Sequence, residues 1–181
     1  MDAKETLVFE LKKRKMHIST AESCTAGLVA ATIVDVSGAS EVFEEGYITY
    51  SDRVKQKVLH VPGEVLKVHT AVSRQTAEWM AKGVHTVTES EITISVTGYA
   101  GPFDAEDGTK AGTVYIGTWY QDEPAVKEFH FTGDRKDVRM QAVNEAIRFA
   151  LERITQSESS SSCWRWSCRN DGCDQCSTGR A

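Results

Sequence analysis

A chain of 181 residues, 40% hydrophobic and 26% charged, has the make-up of one folded domain of about 150 residues with an appendage, not of a disordered protein. Its formal net charge of −5 gives no general attraction for nucleic acid or an anionic membrane, and no apolar run approaches the roughly 20 residues of a membrane helix. The first residues open an amphipathic stretch and not a secretory signal, which points to the cytoplasm.

Residues 5–15 place Leu7, Val8 and Leu11 at helical spacing, with Lys12, Lys13, Arg14 and Lys15 forming a basic end that suits the helix dipole. A short strand is predicted over 17–21 and an Ala- and Val-rich helix over 25–36, ending at Ser37-Gly38. Residues 46–50 alternate as a strand, and 52–59 read as a helix stopped by Pro62-Gly63. Ser73 caps a helix that runs to about residue 88. Strands follow at 91–97, 113–120 and 124–131, the last two forming a hairpin across Gln121-Asp122-Glu123. A long helix, capped by Asp134, covers 134–154. Helices alternating with strands and then a hairpin predict an α/β fold, a layered α/β/α domain with a mixed, mainly parallel sheet.

The composition changes near residue 155. The segment 156–181 holds the serine run Ser159 to Ser162 and four of the five cysteines, Cys163, Cys168, Cys173 and Cys176, and it lacks helical or strand periodicity. Residues 1–155 are therefore the domain, and 156–181 a Ser/Cys-rich tail expected to be unstructured. The cysteine spacing admits a zinc site, although only the last pair has the usual two-residue gap.

Four segments carry candidate chemistry. In Ser23-Cys24-Thr25-Ala26-Gly27 a strand gives way to a helix, whose free N–H groups suit a nucleophile with oxyanion donors nearby; equally, Ser23 or Thr25 is an N-cap, and Cys24 a nucleophile or buried filler. Tyr50 is delivered to the end of a strand, where open α/β sheets place their sites. Lys55, in the first turns of the next helix, is either a surface lysine or an amine lowered in basicity by burial and the helix end. The glycine-rich stretch Thr97-Gly98-Tyr99-Ala100-Gly101-Pro102 is a ligand cradle or a flexible connection. Arg135 and Arg139, four apart on one helical face, bind a phosphate or carboxylate or are simply solvated. Neither the Walker pattern nor G-x-G-x-x-G is present.

Taken in order, Ala21-Glu22-Ser23-Cys24-Thr25-Ala26-Gly27, Gly46-Tyr47-Ile48-Thr49-Tyr50-Ser51-Asp52 with Lys55, Ala71-Val72-Ser73, Thr97-Gly98-Tyr99-Ala100-Gly101-Pro102, Gly112-Thr113-Val114 and Gly133-Asp134-Arg135 closely resemble the CinA C-terminal domain family, the nicotinamide-nucleotide amidases, over residues 5–154. The partner domain of full-length CinA proteins has no counterpart here, so the resemblance implies the stand-alone form. It implies hydrolysis of the carboxamide of nicotinamide mononucleotide to nicotinate mononucleotide and ammonia, in NAD recycling, without metal or cofactor. By position Ser23 matches the nucleophile, Lys55 the base and Tyr50 the assisting hydroxyl. Thr25, Gly27 and the helix N-terminus would lie near the oxyanion, and Thr97, Gly98, Gly101, Arg135 and Arg139 would hold the substrate. The partner implied is the small-molecule substrate, with no nucleic acid or membrane, and with self-association into a homo-oligomer. The alternative is a catalytically idle relative that binds a pyridine nucleotide or a protein partner. Four positions depart from the family pattern: Ala26 and Thr70 stand where glycine is common, Asp52 where asparagine is usual, and Ala111 where proline is common. Asp52 is expected to favour the charged form of Lys55 and weaken it as a base.

Overall fold

A computed structural model describes residues 2–106 and 108–170, with side chains through Gln156. The first helix, α1 (Ala3–Arg14), begins at a capping box in which Asp2 and Glu5 satisfy each other's backbone N–H groups, and it ends on Lys15 in the left-handed region. β1 (Ile18–Glu22) follows, then α2 (Leu28–Val34), a 3₁₀ turn at Ala39–Glu41 and β2 (Phe43–Ile48). Three helices come next, α3 (Asp52–Leu59), α4 (Gly63–His69) and α5 (Arg74–Thr88), before β3 (Ile92–Gly98), β4 (Thr113–Tyr120), β5 (Glu123–His130) and α6 (Arg135–Asn170).

The sheet order is β2-β1-β3-β4-β5. β1 pairs parallel with β2 and β3, while β4 is antiparallel to both β3 and β5, so four of the five strands run in one direction. Helices α1, α2 and α6 cover one face over a core that includes Leu7, Leu11, Ile18, Ile33, Ile94, Ile116 and Ala146. On the other face α5 packs over β1, β3 and β4, with α3 and α4 against it, around Leu59, Leu66, Met80 and Val84. Buried on both sides, β3 reads as a nearly continuous interior strand. This is the expected layered α/β/α domain.

Several boundaries differ from the sequence reading. Helix α3 ends at Leu59 ahead of Pro62-Gly63 as expected, but that pair also opens a further helix, with Pro62 the N-cap residue of α4 and Gly63 its first residue, because a proline's fixed φ suits a helix start as well as a stop. The β2 strand begins three residues and ends two residues earlier than expected, leaving Tyr50 beyond its end. Helix α2 starts at Leu28 and not at Thr25, since Ala26 and Gly27 take φ of 52° and 93°. The β4–β5 connection is a two-residue turn in which Gln121 and Asp122 both have positive φ, the mirror-image geometry that matches strand twist. The last helix does not stop at Ile154 but continues to Asn170. Cys163 and Cys168 lie on that helical backbone, while Cys173 and Cys176 fall outside the described residues, as does the zinc reading that needs all four. Among the described residues no helix is long and apolar enough to cross a membrane.

Candidate active site

The carboxyl ends of the three parallel strands converge, and the candidate chemistry sits there. Ser23 follows β1 directly and its N–H donates to Val96 O of β3 at 2.9 Å. Thr49 continues β2, and its N–H reaches Glu22 O at 2.8 Å. Ser51 then caps α3 by accepting from Val54 N, which sets Lys55 one turn in and facing the sheet. Gly83 of α5 lets α3 approach: a Cβ there would lie 2.1 Å from Leu59 O. Gly98 works similarly between strands, where a Cβ would meet Thr113 O at 2.7 Å.

These placements put Lys55 Nζ 3.4 Å from Ser23 Oγ and 3.0 Å from Thr49 O, although 32 residues separate the two side chains in sequence. Lys55 is 1% exposed. Burial pulls its amine below the ordinary lysine range, and the opposing charge of Asp52 does not reverse the direction. Desolvation is the leading cause of that lowering. Burial pushes the neighbouring Cys24 thiol up to about 11, so it stays protonated at neutral pH and is not a thiolate nucleophile. A serine hydroxyl beside a buried amine of weakened basicity can give up its proton to that amine.

Ser23, Tyr50, Lys55, Thr97, Gly98, Gly101 and Arg135 all line one cavity of about 230 Å³, with Cys24, Ala71, Val72, Tyr99, Ala100 and Phe103. A broader opening of about 560 Å³ adjoins it, sharing Ala71, Tyr99 and Phe103 and adding Asp52, Asp104 and Glu106. Thr97 Oγ1 donates to Ala71 O at 2.6 Å, tying β3 to the segment after α4. Arg135 donates to Gly101 O at 3.0 Å and to the Tyr50 hydroxyl at 3.4 Å, and it pairs with no carboxylate among the described residues. Tyr50 is 61% exposed; its hydroxyl meets Arg135 at the rim and not Ser23 or Lys55.

Three expected residues are not on the lining. Thr25 is fully buried with an unpartnered hydroxyl. Gly27 N donates to the Glu22 carboxylate at 2.9 Å. Arg139 donates Nε to Cys24 O and Nη2 to Thr25 O, both at 2.9 Å, so it supports the turn from behind and does not face the cavity. The helix N-terminus expected to face an oxyanion is likewise taken: Glu22 accepts from Gly27, Val29 and Ala30 N–H. The sequence reading missed Glu22; its signal was a charged residue closing an interior strand. Among the described residues no three His, Cys, Asp or Glu side chains are grouped to hold a metal ion.

Fold and site together describe a layered α/β protein carrying a buried serine–lysine pair at the carboxyl edge of its parallel strands. The CinA C-terminal domain pattern matches residues 1–154, and the chain belongs to that family. A CinA-like protein from Kosmotoga olearia is 42% identical over 153 residues, covering 84% of this chain and 36% of its own, so this chain spans little more than a third of the length of that relative. Two crystal structures of competence-damaged protein (CinA) superfamily proteins resemble it. The one from Klebsiella pneumoniae has a TM-score of 0.83 at 35% identity, covering 85% of this chain and 96% of that chain. The one from Escherichia coli has a TM-score of 0.79 at 32% identity, with 81% and 85% covered.

Proposed function

We propose that the protein hydrolyses the carboxamide of nicotinamide mononucleotide, giving nicotinate mononucleotide and ammonia. The observation that carries this reading is the 3.4 Å approach of a buried lysine amine to a serine hydroxyl. Neutral Lys55 takes the Ser23 proton as Oγ bonds to the amide carbon. The tetrahedral adduct collapses with cleavage of the C–N bond, and Lys55 returns the proton to the departing nitrogen, which leaves as ammonia. Water then attacks the acyl-serine, Lys55 takes its proton, and Ser23 Oγ regains a hydrogen as the acid departs. An amide nitrogen leaves only when protonated, which is why one group must act as base and then as acid.

The cavity supports a small ring. At about 230 Å³ it falls below the roughly 300–1,000 Å³ of a pocket that swallows a drug-sized ligand. It takes the pyridine carboxamide, and the remaining ribose phosphate extends outward. Arg135, a guanidinium at the rim without a carboxylate partner among the described residues, is the phosphate donor in this reading. Tyr50 orients that guanidinium and so contributes to binding, and not to proton transfer as the family resemblance implied.

Ammonia release from nicotinamide mononucleotide by the full chain tests this, compared with Ser23→Ala and Lys55→Met. Activity in the parent protein and a loss of at least 10³-fold in each variant is expected. Equal rates in all three, or none in the parent, would reject it.

A further inference from the structure

Ser23 sits in a turn that is held from both sides by ionic groups. Glu22, 1% exposed, points its carboxylate along the chain: Oε2 accepts from Gly27 N at 2.9 Å and Val29 N at 3.0 Å, and Oε1 from Ala30 N at 2.8 Å. From α6, 115 residues beyond Cys24, Arg139 spans the carbonyls of Cys24 and Thr25 with two bonds of 2.9 Å. Neither side chain lines the cavity. Between them the chain passes through two consecutive left-handed residues, Ala26 and Gly27, a path that an alanine resists by about 1–2 kcal/mol. A turn of this shape persists only where its surroundings impose it.

We propose that Glu22 and Arg139 are positioning residues for the reaction: together they clamp the turn at 23–27 so that Ser23 Oγ stays within reach of Lys55 Nζ. The inference rests on Ser23 being the nucleophile of the reading above. The contact it protects is already at the long end of hydrogen-bond reach, and a displacement of about 1 Å costs on the order of 10²-fold in rate. Both groups are chemically specific. A glutamine at position 22 keeps the shape but sets an amide N–H against one of the three N–H donors it must satisfy. A lysine at 139 keeps the charge but loses the planar fork that spans two carbonyls.

Glu22→Gln and Arg139→Lys, made in the full chain, test this with two rates. One is turnover of nicotinamide mononucleotide, resolved into kcat and KM across pH. The other is the rate at which a fluorophosphonate, a serine-reactive probe that needs no substrate recognition, labels Ser23. Both variants are expected to lose about 10- to 100-fold in kcat and in labelling, with KM within about threefold and the acid limb of the pH profile unmoved. Variants that melt cooperatively yet keep both rates within threefold of the parent overturn the clamp, as does a loss confined to KM. Should Glu22→Gln fail to fold, Arg139→Lys, at a half-buried position, decides alone. A parent protein that is labelled at Ser23 but releases no ammonia sinks the substrate reading and leaves the labelling rates to judge the clamp. A parent that does neither overturns both.

Discussion

The Asp52 carboxylate reaches to 4.0 Å from Lys55 Nζ, yet the amine is held below the ordinary lysine range, because burial outweighs the pairing. Asp52 is half exposed, and water screens most of its attraction; Lys55 has no such shield. The expectation that this carboxylate favours the charged lysine is right about the direction in which Asp52 pushes, but burial outweighs it. Replacing it removes the opposing charge, so Asp52→Asn is expected to move the acid limb of kcat/KM to lower pH. At a pH on that limb the gain is roughly two- to five-fold, the scale of a screened surface pair, with the plateau at high pH unchanged. A limb that stays in place or moves upward would show that Lys55 is not the group titrating.

The same burial has a thermodynamic signature. The folded protein lowers the Lys55 pKa, so between the folded and unfolded values the unfolded chain binds a proton that the folded one does not. Stability therefore rises with pH through that window, and the full cost of burying the ammonium is felt below it. Lys55→Met keeps the length of the side chain and deletes the charge. It should stabilise the protein at low pH, by about 1–2 kcal/mol, with the advantage shrinking as pH rises toward the unfolded value near 10.4. Denaturant midpoints of both proteins at pH 6 and 10 read this out; a constant difference contradicts it.

What was legible in the sequence follows from how local each signal is. The Ser73 cap, the Asp134 cap and the β4–β5 hairpin are written within four residues of where they act, and all appear in the structure. The Ser23–Lys55 encounter was foreseen only through the family resemblance, because it depends on two strand ends meeting. Two features were not foreseen. Glu22 turns its carboxylate onto N–H groups five to eight residues ahead, which no spacing rule flags. Arg135 and Arg139 share a helix face, yet their long side chains diverge, one to Tyr50 and Gly101, the other to the backbone behind Ser23. Periodicity gives where a Cβ points, not where a guanidinium ends.

If Arg135 takes the phosphate, its removal should act on binding and discriminate between ligands. Arg135→Ala is expected to raise KM for nicotinamide mononucleotide about 10-fold, the loss of one charge-assisted contact, while kcat falls by less than threefold. The dephosphorylated nucleoside should then be handled equally well by parent and variant. A matched loss for both ligands would place Arg135 in holding Gly101 and Tyr50 and not in reading the phosphate.

Two positions where glycine is common in the family carry side chains in left-handed backbone, and their strain is unequal. Ala26 has φ of 52°, an ordinary left-handed conformation whose relief by glycine, about 1 kcal/mol, is nearly cancelled by glycine's extra freedom in the unfolded chain, roughly 0.5–1 kcal/mol. Ala26→Gly should leave stability within about 0.5 kcal/mol. Thr70 combines φ of 66° with ψ of 173°, a region that glycine alone occupies readily and that costs other residues about 1–3 kcal/mol. Its hydroxyl recovers little, with bonds to Val72 of only 3.4 Å, while its carbonyl keeps its bonds from Ser73 and Thr76 whatever the side chain. Thr70→Gly is therefore expected to stabilise the protein by about 1 kcal/mol, a rise of roughly 2–4 °C in Tm for a chain of this size, without loss of turnover. A lower Tm in that variant would mean that the strained residue earns its place through the neighbouring Ala71 and Val72, which line the cavity.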